Sequence, residues 1–562
     1  METFKKIKAN KKWIIFFAAL AILIVAGLFY FKARNLEDFN PLIKEKLQDL
    51  VSNGSDGFYQ LTYDSLKSDV YGGTVILKNV HVFPDSARLL HLDSIHMKPA
   101  DIFDLSLTTL AIDGLDFTDF LSNKKIDLKI IYINNPTLEI FHEKNDSLKN
   151  KKDTASIQTV YQRISTVLNR FSLQKLAIKN MEVIHHNYIS DEKESTTRFD
   201  KVNMQFEDLL IDSLTQYDST RFMYAKNAAI TLGKFKFPTA DSLYIISMDS
   251  IYINAANKTV NIDTFAFTPR NGKDAFVAKM PYLKERYTVG FEHVSLNNID
   301  WWGFVSNEGF SAKNMILKNG KLQIYADRNL PPFPKSKVGN YPHQILMKIK
   351  LPVSLDSVII SDLDLTYEEN NPDSKLQGKV FFNNINGFIA NINNNPQAAA
   401  SPVMKIKASS DLMDAGKINA EFLFNLNETK SGAFSISGNM GSMDAKKLDP
   451  VTQPLGLFKI DDGTVKSLSF DLKGNDHNCS GQFTFLYNDL HIEILKKGND
   501  DGEQSKKGFL SFIANTFIIK KSNPGNNGDV RTVTASAERD IHKSFFNLIW
   551  KTLLDGFKQT IK

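Results

Sequence analysis

The chain has 562 residues, 42% of them hydrophobic, with a net charge of +5 and a single cysteine, Cys479. This length exceeds one compact core, and the hydrophobic content excludes a disordered chain. The charge is concentrated at the start, because Met1–Arg34 carries +6 and the remaining 528 residues carry −1. No nucleic-acid partner is expected, since a nearly neutral body lacks the cations that phosphate binding needs.

The first predicted element is a membrane span. Trp13–Phe31 is 19 residues without a charge, which as a helix can cross a hydrocarbon core of about 30 Å. Five lysines precede it, so the positive-inside rule places the N-terminus in the cytoplasm and the rest across the membrane. Bulky Phe29-Tyr30-Phe31 favours an uncleaved anchor over a signal peptide, which would leave the rest in the same compartment. The anchor residues are Trp13, Phe16, Leu20, Leu23, Val25, Phe29 and Phe31.

Two helices are predicted between the anchor and the middle of the chain. Residues 35–57 are expected to form a short helix and a linker, with Ile43, Leu47, Leu50 and Val51 on the apolar face of the helix. A second amphipathic helix is predicted near residues 154–171, where apolar residues recur at helical spacing up to Phe171. The second helix is expected to cover the end or open side of a sheet.

The segments around these helices are typical of β-strands, with a recurring eight-residue pattern, apolar-x-apolar-x-x-apolar-x-apolar. Asn, Asp or Gly stands in the central pair of each copy, where a bulge or turn would keep both halves on one face. The copies begin 30 to 66 residues apart, which indicates a repeat architecture. They start at Val75, Leu110, Leu176, Ile230, Val260, Val294 and Val358.

The last predicted element is an amphipathic helix over residues 538–562. Its apolar face comprises Phe545, Phe546, Ile549, Trp550, Leu553 and Phe557, and lysines flank it. Such a face suits a membrane interface or the hydrophobic end of a sheet. Packing on the protein's own sheet is the favoured alternative.

Catalytic and metal-binding motifs are not found in the sequence. It has no P-loop, dinucleotide fingerprint or nucleophile elbow. The pair His185-His186 has no companion ligands at a recognised spacing. Neither an enzymatic activity nor a cofactor is therefore expected.

The anchor, the repeats and a C-terminal block together resemble the AsmA-like family, the envelope proteins that include AsmA and TamB. The block runs from Gly441-Ser442-Met443-Asp444 through Asp462-Gly463-Thr464-Val465 to Asn488-Asp489-Leu490. The resemblance implies a mainly β fold, in which an N-terminal transmembrane helix precedes an elongated, curved antiparallel β-sheet, a repeating β-groove with a few amphipathic helices.

The domains expected from this resemblance follow the chain. Residues 1–34 form the cytoplasmic tip and anchor, residues 35–57 the short helix and linker, residues 58–400 the β-groove with its inserted helix, residues 401–537 the C-terminal β region, and residues 538–562 the final helix. The groove-lining candidates are Val75, Leu77, Leu110, Ile112, Ile230, Leu232, Val260, Ile262, Val358 and Ile360. From the residues alone, these side chains could equally pack on one another as a sandwich core.

The function implied is that of an inner-membrane-anchored periplasmic protein that shields or transfers phospholipid acyl chains and contributes to outer-membrane lipid homeostasis. Membrane lipids would be its partners, together with an outer-membrane or envelope protein. The alternative from a different class is a non-transporting scaffold that assists outer-membrane protein assembly. Co-purifying phospholipid distinguishes the first hypothesis, and a stoichiometric protein partner without lipid distinguishes the second.

Overall fold

A computed structural model describes residues 47–49, 51–52, 55–69, 72–95, 97–114, 123–143, 161–162, 165, 168–190, 193–306, 308–395, 401–495 and 519–562. These residues are mainly β and contain 23 strands. The mainly β fold was predicted from the repeats. None of the helices in this part of the chain is long and apolar enough to cross a membrane, and the predicted span Trp13–Phe31 lies outside it.

Numbered in chain order, the strands are β1 (Tyr59–Thr62), β2 (Ser65–Asp69), β3 (Thr74–Pro84), β4 (Asp101–Asp113), β5 (Lys125–Asn134), β6 (Thr137–Glu143), β7 (Arg170–Ser190), β8 (Lys193–Ile211), β9 (Ala225–Leu232), β10 (Phe235–Pro238), β11 (Tyr244–Asn254), β12 (Thr259–Pro269), β13 (Arg286–Asn297), β14 (Phe310–Asp327), β15 (Val353–Asn370), β16 (Gln377–Asn393), β17 (Val403–Leu412), β18 (Gly416–Asn425), β19 (Phe434–Met440), β20 (Met443–Asp444), β21 (Phe458–Gly474), β22 (Asn478–Ile494) and β23 (Thr532–Glu538). The α-helices are α1 (Ser86–Ser94), α2 (Lys273–Val277), α3 (Trp301–Ser306), α4 (Pro342–Met347), α5 (Asp449–Val451) and α6 (Phe545–Ile561). Residues 47–49 and 51–52 are also helical, in agreement with the predicted short helix.

The chain divides into two compact units, the first comprising Met1–Ala240 with Ser247–Asn261 and the second Asp241–Ile246 with Ile262–Lys562. In the first unit, β3 pairs with β1 and β2 along one edge and with β4 along the other. Strand β4 pairs with both β5 and β6, and the sheet continues through β7, β8 and β9. One face of this sheet forms an apolar core, into which Leu47 and Val51 of the N-terminal helix are buried.

A row of hydrogen-bonded polar side chains crosses the strands of the first unit at the centre of the repeat on β7. Asn180 on β7 has a left-handed backbone, with φ of 52°, and the β7–β8 register shifts there. Its side chain donates to Asn135 at 2.7 Å, and Asn135 donates to Thr108 at 3.2 Å. Its backbone N–H donates to Asn203 at 2.9 Å, and Asn203 donates to Thr231 at 3.3 Å. The alternation of apolar and polar residues shifts by one residue at the centre of the repeat. The register shift and this ladder of five side chains confirm that a bulge on β7 accommodates that shift.

The expectation of a wholly antiparallel sheet is wrong at three strand pairs. Strands β5 and β6 both pair in parallel with β7, and β14 pairs in parallel with β15. Parallel neighbours need a connection of a dozen or more residues, and residues 144–169 and 328–352 provide such connections. Part of the first, Tyr161 and Gln162, is helical as predicted, but Phe171 lies in β7, so that helix ends before it.

In the second unit, strands β15 to β19 pair antiparallel in chain order, and β21, β22 and β23 continue from β19. Helix α6 packs on this last group of strands, and its Leu548 is 1% exposed. The helix approaches closely because residue 556 is glycine, since a Cβ there would lie 2.5 Å from the Phe483 ring.

A buried polar clasp fastens the start of α6 to the rest of the second unit. Arg539 forms an ion pair with Asp476, and its guanidinium lies 4.2 Å from the centre of the Tyr341 ring. Gln344 donates to Asp476 at 2.7 Å. His343 is fully buried beside this group and stacks on Phe424, and neither ring nitrogen has a partner among the described residues. We call Asp476, Arg539, Tyr341 and Gln344 the clasp.

Candidate functional site

The predicted groove-lining residues lie on five strands, and the structure pairs the first four of them directly. Val75 lies opposite Ile112, and Leu77 lies opposite Leu110, across β3 and β4. All four side chains are buried, Leu77 completely. In this part of the first unit, the four side chains are therefore buried in the apolar core.

The later candidates lie on β9, β12 and β15, and most of them are half-exposed. Ile230 and Leu232 on β9, Val260 and Ile262 on β12, and Ile360 on β15 belong to this half-exposed set. Val358, next to Ile360 on the same face, is buried at 8% exposure. Five of the ten predicted residues thus remain partly accessible to a ligand. On each of β9, β12 and β15 separately, we call the side that carries these residues the half-exposed face.

Left-handed residues keep the apolar side chains of β15 on one side. The β15–β16 register shifts on both sides of Leu363, next to Asp362, which has φ of 56°. On β16, Asn384 has φ of 53°, and its N–H donates to Asp364 at 3.1 Å. The Asp362 N–H in turn donates to Asn386 at 3.2 Å. These contacts confirm that the polar pair at the centre of the repeat supports a bulge on β15.

Not every copy of the pattern forms a bulge within a strand. At Gly233 the copy on β9 ends the strand, and β10 begins only at Phe235. Val294 and Leu296 lie on β13, but Trp301 begins α3, so that copy ends a strand and starts a helix. The pattern predicts the apolar face in each case, while the backbone resolves the slip by a bulge, a break or a helix.

The sequence reasoning missed further copies of the same pattern, among them one on β11. Ile246, Met248, Ile251 and Ile253 on β11 have its spacing and are half-exposed. Ser250 in the central pair has φ of 50°. The signal was the spacing itself, with Asp249 in the central pair.

Gly320 on β14 marks a close approach of apolar side chains in the second unit. It lies opposite Phe291 on β13 and opposite Leu363 on β15. A Cβ at Gly320 would lie 2.5 Å from the Phe291 ring and 2.7 Å from Leu363. These two side chains fill the space above the glycine, so a larger residue at position 320 would clash with them.

The predicted face of the C-terminal helix is divided by the structure. Phe545 and Ile549 are buried against the sheet, and Leu553 and Phe557 pack on the same core. The Phe557 ring lies 4.9 Å from Phe483 and 4.8 Å from Phe485. Packing on the protein's own sheet is confirmed for these four residues, whereas Phe546 and Trp550 point outwards, at 65% and 48% exposure.

The described residues hold no group of three or more His, Cys, Asp or Glu side chains placed to bind a metal. His186, singled out in the sequence, pairs with Glu139 at 3.2 Å. The half-exposed face offers chiefly aliphatic contacts, which suit an apolar ligand without directional polar groups. In comparisons with known proteins, no family model and no curated protein matches the chain.

Proposed function

We propose that the protein shields or transfers phospholipid acyl chains on its half-exposed face, as an AsmA-like envelope protein that contributes to outer-membrane lipid homeostasis. The observation that carries the proposal is the partial exposure of Ile230, Leu232, Val260, Ile262 and Ile360. Apolar surface left in water costs about 25 cal/mol per Å². An acyl chain covers such a surface and requires no polar partner in return.

The location is part of the same proposal. Trp13–Phe31 would hold the chain in the inner membrane with its N-terminus in the cytoplasm, and the rest would lie in the periplasm. Deletion of residues 1–34 is then expected to move the protein from the carbonate-washed membrane fraction to the supernatant. Retention of the shortened chain in the membrane would contradict anchoring by this segment.

The lipid is tested by site-specific crosslinking in the full chain. A photoreactive amino acid at Ile262, on the half-exposed face, is expected to give phospholipid adducts detected by mass spectrometry. The matched control is Asp263, which is exposed and follows Ile262 directly on β12, so that its side chain points to the opposite side of the strand. The same probe at Leu77, which is buried, is expected to give no adduct.

A charge on the half-exposed face should displace the lipid. Ile262→Asp is expected to reduce co-purifying phospholipid at least several-fold, since burying a carboxylate under an acyl chain is costly. Asn257→Asp, at an exposed position in the turn before β12, should leave it unchanged. Protein adducts at Ile262 without lipid would instead favour the scaffold that assists outer-membrane protein assembly, and equal lipid in both variants would contradict an acyl-chain site here.

A further inference from the structure

The connection between β14 and β15 is unusually basic. Residues 328–350, which we call the strap, include Arg328, Lys335, Lys337, Lys348 and Lys350 but no Asp or Glu. Arg328 and Lys337 are ion-paired, with Glu369 and Glu285. The other three lysines are exposed. The strap therefore presents uncompensated positive charge on a body that is nearly neutral.

The strap is fixed to the start of α6. The Lys337 N–H donates to the Ile541 carbonyl at 2.6 Å, and Arg539 donates to the Lys337 carbonyl at 2.8 Å. The ring centres of Tyr341 and Phe545 are 4.9 Å apart. Strap and helix therefore form one region of the second unit, held by the buried clasp.

Large apolar side chains of this region are exposed. Ile345 is 50% exposed although its neighbours His343, Gln344 and Leu346 are buried. Ile541 is exposed where the strap meets the helix, and Phe546 and Trp550 follow on α6. Further exposed members are Phe333, Val338 and Ile349. Phe546 and Trp550 are four residues apart on α6 and therefore adjoin each other, and adjoining exposed apolar groups mark an interaction surface.

Cations also outnumber carboxylates on α6 and in the residues just before it. From residue 538 onwards, three carboxylates, Glu538, Asp540 and Asp555, stand against five cations, Arg539, Lys543, Lys551, Lys558 and Lys562. Asp555 already accepts hydrogen bonds from the Ser536 N–H at 2.8 Å and from Gln559 at 2.7 Å. The charge of the strap and of the helix thus has the same sign.

We propose that the strap and the outer side of α6 form a docking face for an anionic lipid surface. Exposed Trp and Phe side chains next to lysines are the combination that inserts at the boundary between headgroups and acyl chains. Each lysine near an anionic surface contributes attraction that salt screens. The proposal goes beyond acyl-chain binding, because it concerns a bilayer surface and residues outside the half-exposed face.

The experiment uses the full chain in phosphatidylcholine nanodiscs, which accommodate the N-terminal segment. An environment-sensitive fluorophore is attached at Ser544→Cys, an exposed position beside Phe546; Cys479 is fully buried and stays unlabelled. Vesicles of phosphatidylglycerol with phosphatidylcholine are expected to raise the emission, and about 0.5 M salt is expected to reverse this rise. Pure phosphatidylcholine vesicles and a label at the exposed Ser219→Cys should give no rise.

Two sets of charge variants test the mechanism. Replacing Lys335, Lys348 and Lys350 by Gln should weaken vesicle binding on the order of 100-fold at low salt. The matched control replaces Lys234, Lys236 and Lys258, exposed lysines of the first unit, and should change binding less than twofold. Phe546→Ser with Trp550→Ser should abolish the emission rise.

An equal response to neutral vesicles, or no effect of the strap substitutions, would overturn the docking face. Crosslinking of position 544 to a stoichiometric protein, without a vesicle response, would also overturn it in favour of a protein partner. The lipid adducts at Ile262 are measured separately, so failure here is distinguishable from failure of the acyl-chain site.

Discussion

The same eight-residue pattern produces a buried face on β3 and β4 and a half-exposed face on β9 and β12. Leu77 is completely buried, and Leu47 and Val51 of the N-terminal helix belong to the same core. Leu232 has an equivalent position in its copy of the pattern and remains partly exposed. The comparison shows that the pattern determines which side of a strand is apolar, whereas burial depends on what packs against that side.

The second unit has a covered face of its own, which differs in chemistry from that of the first. Helix α6 supplies the cover, and the clasp holds its start through an ion pair whose two side chains are almost completely buried. The N-terminal cover buries Leu47 and Val51 in an apolar core, and Gln48 donates a neutral hydrogen bond to the Leu61 carbonyl at 3.0 Å. The cover of the second unit should therefore be sensitive to single charge changes.

The largest expected effect comes from breaking the clasp. Asp476→Ala would leave Arg539 buried without its carboxylate, which typically costs 3–5 kcal/mol, about half of the stability of many domains. Chemical denaturation should show this loss, and limited proteolysis should cut the strap faster. The double variant Asp476→Leu with Arg539→Met should recover most of the stability. If this double variant lost as much stability as Asp476→Ala, the ion-pair explanation would be contradicted.

A matched pair of leucines tests the difference in burial directly. Leu77→Ala should lower the free energy of unfolding by about 3 kcal/mol, because it opens a cavity in a packed core. Leu232→Ala should cost about 1 kcal/mol, because part of that side chain already contacts solvent. Both values come from denaturant titration of lipid-free protein. Equal losses would show that the two faces are equally covered.

Acid should weaken the covered face of the second unit. Burial lowers the pKa of His343 to about 4 from its ordinary value of 6.5, although nearby Asp476 acts in the opposite direction. Stability is therefore complete above pH 6.5 and falls as the pH drops towards 4, by roughly 3 kcal/mol in total.

The pH dependence of unfolding is the measurement for this histidine. His343→Phe keeps an aromatic ring next to Phe424 and should flatten the dependence between pH 6.5 and 4. His477→Gln, at an exposed position, should leave the wild-type dependence unchanged. If the pH dependence of the wild-type protein persisted in His343→Phe, groups other than His343 would be responsible for it.

The periodicity of the sequence was sufficient to predict the β-class, the C-terminal helix and the apolar faces, because these depend on local spacing. Parallel pairing of β14 with β15 was not predictable in this way, since it depends on where a 25-residue connection returns to the sheet. The clasp joins Tyr341, Asp476 and Arg539, which are 63 to 198 residues apart and carry no shared motif. The burial of each apolar face could not be predicted either, because the residues of a strand do not determine which element packs against it.

The smallest expected effect concerns the bulge that keeps both halves of β7 on one face. Asn180→Ala removes the hydrogen bond to Asn135 and places a Cβ-bearing residue without a polar group in the left-handed region, for a loss of about 2 kcal/mol. Asn180→Gly removes the same hydrogen bond but tolerates the backbone, and should lose about 1 kcal/mol. The difference between the two variants, measured by denaturation, isolates the cost of the left-handed backbone. If the two variants were equally stable, the left-handed residue would not be what keeps both halves of β7 on one face. A bulge at the centre of the pattern would then no longer explain the buried and the half-exposed faces together.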